Sequence, residues 1–195
     1  MPRPFALHVT WTCYATWLPG DRRGYVSNTR LARGGFVPKQ NTPGTPYTKD
    51  DPTTRALATA QQSWPTVHLS REQAACVARS LVGAAAARGW VVLRAAVMDN
   101  HVHVVVTDCP DDGPAVRRAL KGVTQAALSE QLGHARRWWT EGGSDRYKHD
   151  QSAIDAAVSY VARQPGMLAG VDRMRPFVAE DGGAIKYLDG ASGGA

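Results

Sequence analysis

The segment from residue 90 to residue 107 constrains the fold more than any other part of the chain. Residues 90–98 and 101–107 are rich in valine and other apolar residues, which is typical of two strands of a sheet. Between them stands the pair Asp99-Asn100, a signal for a tight hairpin turn. The sequence therefore predicts a β-hairpin in the middle of the chain.

The other patterned segments complete an alternation of strands and helices. Ser70 with Gln73 forms a capping-box pattern, and Gly89 and Gly133 are typical helix ends. The predicted elements are a strand at 6–17, a helix at 70–88, strands at 90–98 and 101–107, a helix at 114–132, strands at 136–140 and 146–148, and a helix at 152–163. This β-α-β-β-α-β order predicts an α+β fold: a ferredoxin-like antiparallel sheet with helices on one face and an additional C-terminal helix that carries Tyr160.

Residues 22–65 interrupt this pattern. They hold many proline and glycine residues and show little periodicity, apart from a possible short helix at 53–62. A connection of this length is usually functional or mobile. The 195 residues predict one domain over 1–170 with an irregular insertion at 22–65, followed by a glycine-rich, flexible tail at 171–195.

Composition limits the class of protein. The net charge of +6 and the pI of about 9.5 suit a polyanionic partner such as nucleic acid, although many basic proteins bind none. The longest apolar run is too broken for a membrane span, which needs about 20 apolar residues. Three widely spaced cysteines indicate neither a disulfide framework nor a cysteine zinc site. A cytoplasmic protein is therefore expected.

The segment His101-Val102-His103 is the first candidate for chemistry. Alternate side chains of a strand point to the same face, so His101 and His103 project together and Val102 projects to the other side. Two imidazoles on one face can hold one divalent metal ion. The alternative is that they are two polar residues on the open face of a sheet. His8, on the first strand, lies next to this strand in the predicted topology and could approach the site, although a structural role is the more common one for such a residue.

Tyr160 and Gln164 are the second candidate. They lie four residues apart on a predicted helix and so share a face. A phenol hydroxyl can act as a nucleophile, and the amide oxygen of Gln164 is a hard ligand suited to Mg²⁺ or Mn²⁺. The alternative is that Tyr160 is a core aromatic residue that packs beside Ile154 and Val161.

Three segments together resemble the single-tyrosine HUH transposases, especially the REP-associated tyrosine transposases. Residues 98–103 look like that family's Met-Pro-Asn-His-hydrophobe-His signature, with Asp99 in the position of the proline. Residues 138–143 look like its tryptophan-glycine segment, and residues 160–164 look like its tyrosine helix. The resemblance covers roughly residues 6–170 apart from the insertion, which is unusual for compact members of the family.

The resemblance implies a metal-dependent transposase or single-stranded DNA endonuclease. In that reaction a Mg²⁺ or Mn²⁺ ion held by His101, His103 and Gln164 polarises a scissile phosphate, often beside a DNA hairpin. Tyr160 attacks the phosphorus, forms a 5′-phosphotyrosine link and frees a 3′-hydroxyl. The resemblance also implies that two subunits pair, with the tyrosine helix of one able to complete the site of the other.

DNA contacts are predicted on two basic segments, one on the second long helix and one before the last strand. The residues are Arg117, Arg118, Lys121, Arg136 and Arg137. They predict a surface that follows phosphates, and the alternative is a solvated helix face. Trp138 and Trp139 could stack on bases, but adjacent strand positions place one of them in the core.

Two other functions are compatible with the sequence. One is a DNA hairpin-binding protein of the same fold that does not cut, against which the intact histidine pair and tyrosine argue. The other is an RNA-binding ferredoxin-like module, which would need exposed aromatic residues on the central strands. His101-Val102-His103 offers none there.

Overall fold

A computed structural model of the chain describes residues 5–21, 34–35, 49–109 and 112–188. These residues include seven strands and four helices, which confirms a mixed α+β fold. In chain order they are β1 (Ala6–Thr12), α1 (Pro52–Ala60), α2 (Arg71–Ala86), β2 (Val91–Val97), β3 (His101–Thr107), α3 (Gly113–Leu132), β4 (Ser144–Lys148), α4 (Gln151–Ala162), β5 (Ala169–Asp172), β6 (Arg175–Ala179) and β7 (Ile185–Tyr187).

The strands form one sheet in the order β4-β1-β3-β2-β5-β6-β7, and every neighbouring pair is antiparallel. β1 comes first in the chain but lies inside the sheet, between β4 and β3. The pairing of β1 with β3 brings residues about 95 positions apart into contact. This register decides which side chains of β1 stand beside the two histidines of β3.

The local signals of the sequence are found where they were expected. The amide of Met98 donates to the carbonyl oxygen of His101 at 2.9 Å, which closes the predicted hairpin between β2 and β3. Ser70 and Gln73 form the predicted capping box at the start of α2. α3 ends at Gly133 in the left-handed conformation, with φ of 79°, as a glycine C-cap permits.

The strand predicted at residues 136–140 is wrong. Trp139 forms an isolated bridge with Cys13, and the edge strand is β4, Ser144–Lys148, which begins after a Gly-Gly turn. The physical reason is that Trp138 and Trp139 are both buried, at 1% and 5% exposure, so the two-faced alternation of a strand is lost there.

The flexible tail predicted from residue 171 is also wrong as far as residue 188. The expected boundary at 170 falls inside β5, and β5, β6 and β7 continue the sheet beyond β2. Val171 and Phe177 are fully buried, so this segment supplies core side chains despite its glycine content. Residues 189–195 lie outside the described residues.

The two faces of the sheet carry different helices. α2 and α3 cover one face over a large core that includes Leu7, Val9, Val102 and Val104. α4 covers part of the other face, where Val105 packs among a smaller cluster of apolar residues.

The insertion contains α1, as predicted for its last third, and most of its remainder lies outside the described residues. No helix in the described part of the chain is long and apolar enough to cross a membrane.

Candidate functional site

The two histidines of β3 lie on the face of the sheet that α4 covers. Val102 between them points the other way and is fully buried in the larger core. The ring centroids of His101 and His103 are 5.0 Å apart, and the ring planes are nearly perpendicular. The pair therefore shares one face, as the alternation of a strand requires.

His103 is held from β1. Its Nδ1 lies 2.9 Å from Oγ1 of Thr10 and 3.1 Å from Nε2 of His8, contacts that the β1–β3 register creates. Burial, followed by the charges that His101 and His8 would carry, lowers the pKa of His103 to about 3. The ring is therefore neutral at physiological pH, which is the form that binds a metal.

His101 has a comparable arrangement. Its Nδ1 lies 2.5 Å from Oδ1 of Asn100, and its ring is 5.7 Å from that of Trp17. In both histidines Nδ1 has a polar neighbour, so Nε2 is the nitrogen that would bind a metal. Histidine ligands of metals usually have the other ring nitrogen held in this way. The two imidazoles thus fit a divalent metal ion.

Tyr160 lies beside His103 and His8. Asp150 caps the start of α4, where its side chain accepts a hydrogen bond from the amide of Ala153 at 2.8 Å, and the helix buries Ile154 and Val161 in the smaller core cluster. The ring centroid of Tyr160 is 5.7 Å from that of His103 and 5.8 Å from that of His8. Tyr160 is 51% exposed and is therefore not a core aromatic residue.

Gln164 follows the end of α4. Its Nε2 donates to the carbonyl oxygen of Tyr160 at 3.3 Å, one helical turn earlier. This contact holds the side chain of Gln164 against the helical turn that contains Tyr160. Its assignment as a third metal ligand stays a prediction.

A cavity of about 370 Å³ opens in front of Tyr160. We name it the Tyr160 cavity. It is lined by His8, Thr10, His103, Ser144, Arg146, Lys148, Ala153, Ala156, Ala157 and Tyr160. It joins residues of β1, β3, β4 and α4, and it contains two cations of β4 that the sequence analysis did not select.

The residues of β1 and β4 at this site could have been found by their alternation. His8, Thr10 and Thr12 alternate with apolar residues along β1, and Arg146 and Lys148 occupy alternate positions of β4. Sequence reasoning favoured a structural role for His8 over a place at the site, whereas its Nε2 contacts a predicted metal ligand. Burial, followed by the charges of Lys148 and Arg146, lowers the pKa of His8 to about 4.

The residues predicted to contact DNA lie with α3 and the segment that follows it, on the side of the sheet away from the histidines. Arg118 is exposed. Arg117 forms an ion pair with Asp145, and Arg137 forms one with Glu141 at 2.8 Å. The predicted DNA-binding role of these three arginines stays a prediction.

Arg136 and Lys121 also make internal contacts. The guanidinium of Arg136 lies 5.2 Å from the ring centroid of Trp138. Lys121 donates from Nζ to the carbonyl oxygens of Thr140, at 2.6 Å, and Gly142, at 2.9 Å. Lys121 is therefore turned inward to hold the loop after Trp139, and a contact with phosphate would have to compete with two hydrogen bonds.

Neither tryptophan is available for stacking on a base. Trp138 donates from Nε1 to Oγ of Ser129 at 3.1 Å, and Trp139 packs edge-on against Trp11 with ring centroids 6.0 Å apart. Both are buried, which corrects the expectation that only one of them faces the core. They anchor the segment between α3 and β4.

Comparison with known proteins gives no match to a family model, a curated protein or a solved structure.

Proposed function

We propose that this protein is a metal-dependent transposase or single-stranded DNA endonuclease that cleaves and rejoins DNA through a 5′-phosphotyrosine intermediate. The observation that carries the proposal is the convergence of Tyr160 with His103 and His8 at one cavity. These residues come from three different elements, and their rings lie within 6 Å of one another. A nucleophile beside neutral imidazoles, on a basic protein, suits attack on a phosphodiester.

The chemistry balances within the DNA and the tyrosine. The phenol oxygen of Tyr160 forms a bond to phosphorus, and the bond from phosphorus to the 3′-oxygen of the preceding nucleotide breaks. The phenol loses its proton and the departing 3′-oxygen gains one, so no net proton or electron is needed. Attack by a 3′-hydroxyl of another strand end reverses the step and joins DNA.

His101 and His103 are the residues that would hold the metal, with Gln164 as the proposed third ligand. A bound Mg²⁺ or Mn²⁺ ion supplies Lewis-acid polarisation of the phosphate. The chain's own residues supply the rest. Thr10 and His8 hold the ring of His103 through Nδ1, and α4 holds the phenol of Tyr160 next to it.

The sheet order also supports the proposal. β1, α2, β2, β3, α3 and β4 follow one another as β-α-β-β-α-β, and their strands lie in the order β4-β1-β3-β2. We interpret this part as a ferredoxin-like sheet extended by β5, β6 and β7, with α4 as the additional tyrosine helix. Because Tyr160 lies beside a histidine of its own chain, we propose that it acts in cis; the homodimer implied by the resemblance stays a prediction.

A covalent-adduct assay tests this function. The wild-type protein is incubated with Mn²⁺ and a 3′-labelled single-stranded DNA hairpin, and denaturing electrophoresis measures labelled protein. We expect an adduct for the wild type and none for Tyr160→Phe, because phenylalanine keeps the ring but lacks the oxygen that bonds to phosphorus. The wild-type adduct should also disappear when a chelator removes the metal.

Tyr187→Phe is the matched control, because it removes the same hydroxyl from a tyrosine of β7. It should form the adduct at the wild-type level. An adduct that persists in Tyr160→Phe would remove Tyr160 from its role. DNA binding by the wild type without any adduct would favour the non-cleaving hairpin-binding protein instead.

A further inference from the structure

We propose that Arg146 and Lys148 of β4 form a phosphate-binding track that guides single-stranded DNA to Tyr160. The identity of the ligand as DNA rests on the proposed function. The track itself rests on the placement, charge and accessibility of the two side chains. It is distinct from the five basic residues on the α3 side that the sequence analysis selected.

The placement follows from the sheet. β4 is the edge strand next to β1, and its register pairs Arg146 with His8 and Lys148 with Ala6. Both basic side chains line the Tyr160 cavity, so both lie on the face of the sheet that α4 covers. Alternate residues of a strand are separated by about 6.8 Å. The two cations therefore form a short row along the open edge, beside Tyr160.

The charge of the cavity is one-sided. Among the described residues that line it, none is acidic. The nearest acidic residue of β4 is Asp145, which lies on the opposite face and is paired with Arg117. Asp150 caps the first turn of α4. Neither Arg146 nor Lys148 forms an ion pair with another residue of the described chain, so their charges face the cavity without an acidic partner.

The shape favours one strand of a nucleic acid. The wall opposite β4 is built from Ala153, Ala156 and Ala157, whose small side chains leave space in front of the cations. A volume of about 370 Å³ is that of a small-molecule pocket, so it suits one nucleotide rather than a duplex. Arg146 is exposed and Lys148 is half-buried, so a backbone phosphate can reach both from the edge of the sheet.

The track is tested by the salt dependence of binding. Each phosphate contact contributes about 0.7 to the slope of log affinity against log salt for single-stranded DNA. The variant Arg146→Gln/Lys148→Gln, in a Tyr160→Phe background that prevents cleavage, is titrated with a fluorescent single-stranded oligonucleotide at several KCl concentrations without divalent metal. We expect weaker binding and a slope smaller by about 1.4 than in Tyr160→Phe alone.

The matched control is Arg79→Gln/Lys186→Gln in the same background. It removes the same two charges from exposed positions on α2 and on β7, at the far edge of the sheet. Its slope should stay at the value of Tyr160→Phe. Circular dichroism of all three proteins checks that they are equally folded.

Three results would overturn the track: an unchanged slope in the Arg146/Lys148 variant, an equal reduction in the control, or no binding of the oligonucleotide by Tyr160→Phe. A reduced slope in a protein whose wild type forms no adduct would support the track and reject the cleavage chemistry. An adduct formed by the wild type, together with an unchanged slope in the Arg146/Lys148 variant, would support the cleavage chemistry and reject the track. The two proposals can therefore fail separately.

Discussion

Burial decides the protonation state of His103 and His8. Both are less than 10% exposed, and their ring nitrogens contact each other inside the sheet face that α4 covers. Burial disfavours the charged form of a base, so the folded protein keeps both rings neutral. An unfolded chain has no such constraint, and its histidines titrate near pH 6.5.

Stability should therefore decrease as the pH falls below about 6.5. The folded pKa values are about 4 and about 3, so between pH 6.5 and 4 the unfolded chain binds protons that the folded chain does not. The stabilisation is complete above the unfolded pKa and is lost as the pH falls towards the folded values. We expect the free energy of unfolding of the metal-free protein to fall by up to about 1.4 kcal/mol per pH unit for each histidine.

Urea denaturation at pH 7.5, 6.5, 5.5 and 5.0 measures this loss. The slope should be smaller in His8→Asn, which removes one of the two bases. His134→Asn is the control, because His134 is exposed and should leave the slope unchanged. A free energy that stays constant from pH 7.5 to 5.0 would contradict the burial of two neutral histidines.

For single residues, the sequence predicted which side chains belong to the site but not the contacts that hold them. His101, His103 and Tyr160 could be selected because a strand repeat, a helix repeat and a family resemblance marked them. The predicted topology placed His8 beside the histidine strand, but the contacts of Thr10 and His8 with His103 depend on a register that joins residues more than 90 positions apart. The alternation along β1 indicates which of its residues share a face, but not which residue of β3 each of them will oppose.

Among the elements, the segment between α3 and β4 shows how packing overrides a local pattern. Adjacent tryptophans suggested a strand with one exposed ring. Instead the chain buries both rings, and β4 begins only at Ser144. The β2–β3 hairpin was predictable because its turn signal and its apolar strands are contiguous. The position of Trp138 was not, because its partner Ser129 lies on α3.

Trp138→Ala should destabilise the protein strongly. Trp138 is 1% exposed, and removing a buried tryptophan side chain costs about 3–5 kcal/mol. Trp64→Ala is the control, since Trp64 is 43% exposed and its removal should destabilise the protein clearly less than that of Trp138. Chemical denaturation measures both. Equal stability of the two variants would place Trp138 on the surface, where stacking on a base would again be open to it.

Over the whole molecule, the sheet extends further than the pattern of the sequence indicated. Glycines and short polar stretches after residue 167 resembled a tail, yet β5 pairs with β2 and carries two more strands. Gly170 explains part of this. A Cβ at this position would lie 2.4 Å from the carbonyl oxygen of Ala95 and 2.7 Å from Cζ of Phe177. The glycine is thus a requirement of close packing and not a sign of flexibility.

The direction in which Gly170→Ala changes stability distinguishes a packed β5 from a flexible tail. In a packed β5 the new methyl group meets backbone, and overpacking costs about 1–3 kcal/mol. In a flexible tail the same change would leave stability unchanged or slightly higher. Gly83→Ala is the control: Gly83 lies within α2 with open space around it, so alanine should stabilise by about 0.5–1 kcal/mol. Thermal denaturation of both variants measures the difference.

The interior position of β1 affects the rate at which the protein folds. The β2–β3 hairpin closes over a two-residue turn, but β1 reaches it only after the chain from residue 13 to residue 90 has looped back, and β4 must then dock on its other side. Contacts between residues so far apart in sequence form slowly. His8 and His103 meet only when the pairing of β1 with β3 is complete. A chain that is still folding therefore carries no assembled site, and the strand cleavage that we propose would require the finished molecule.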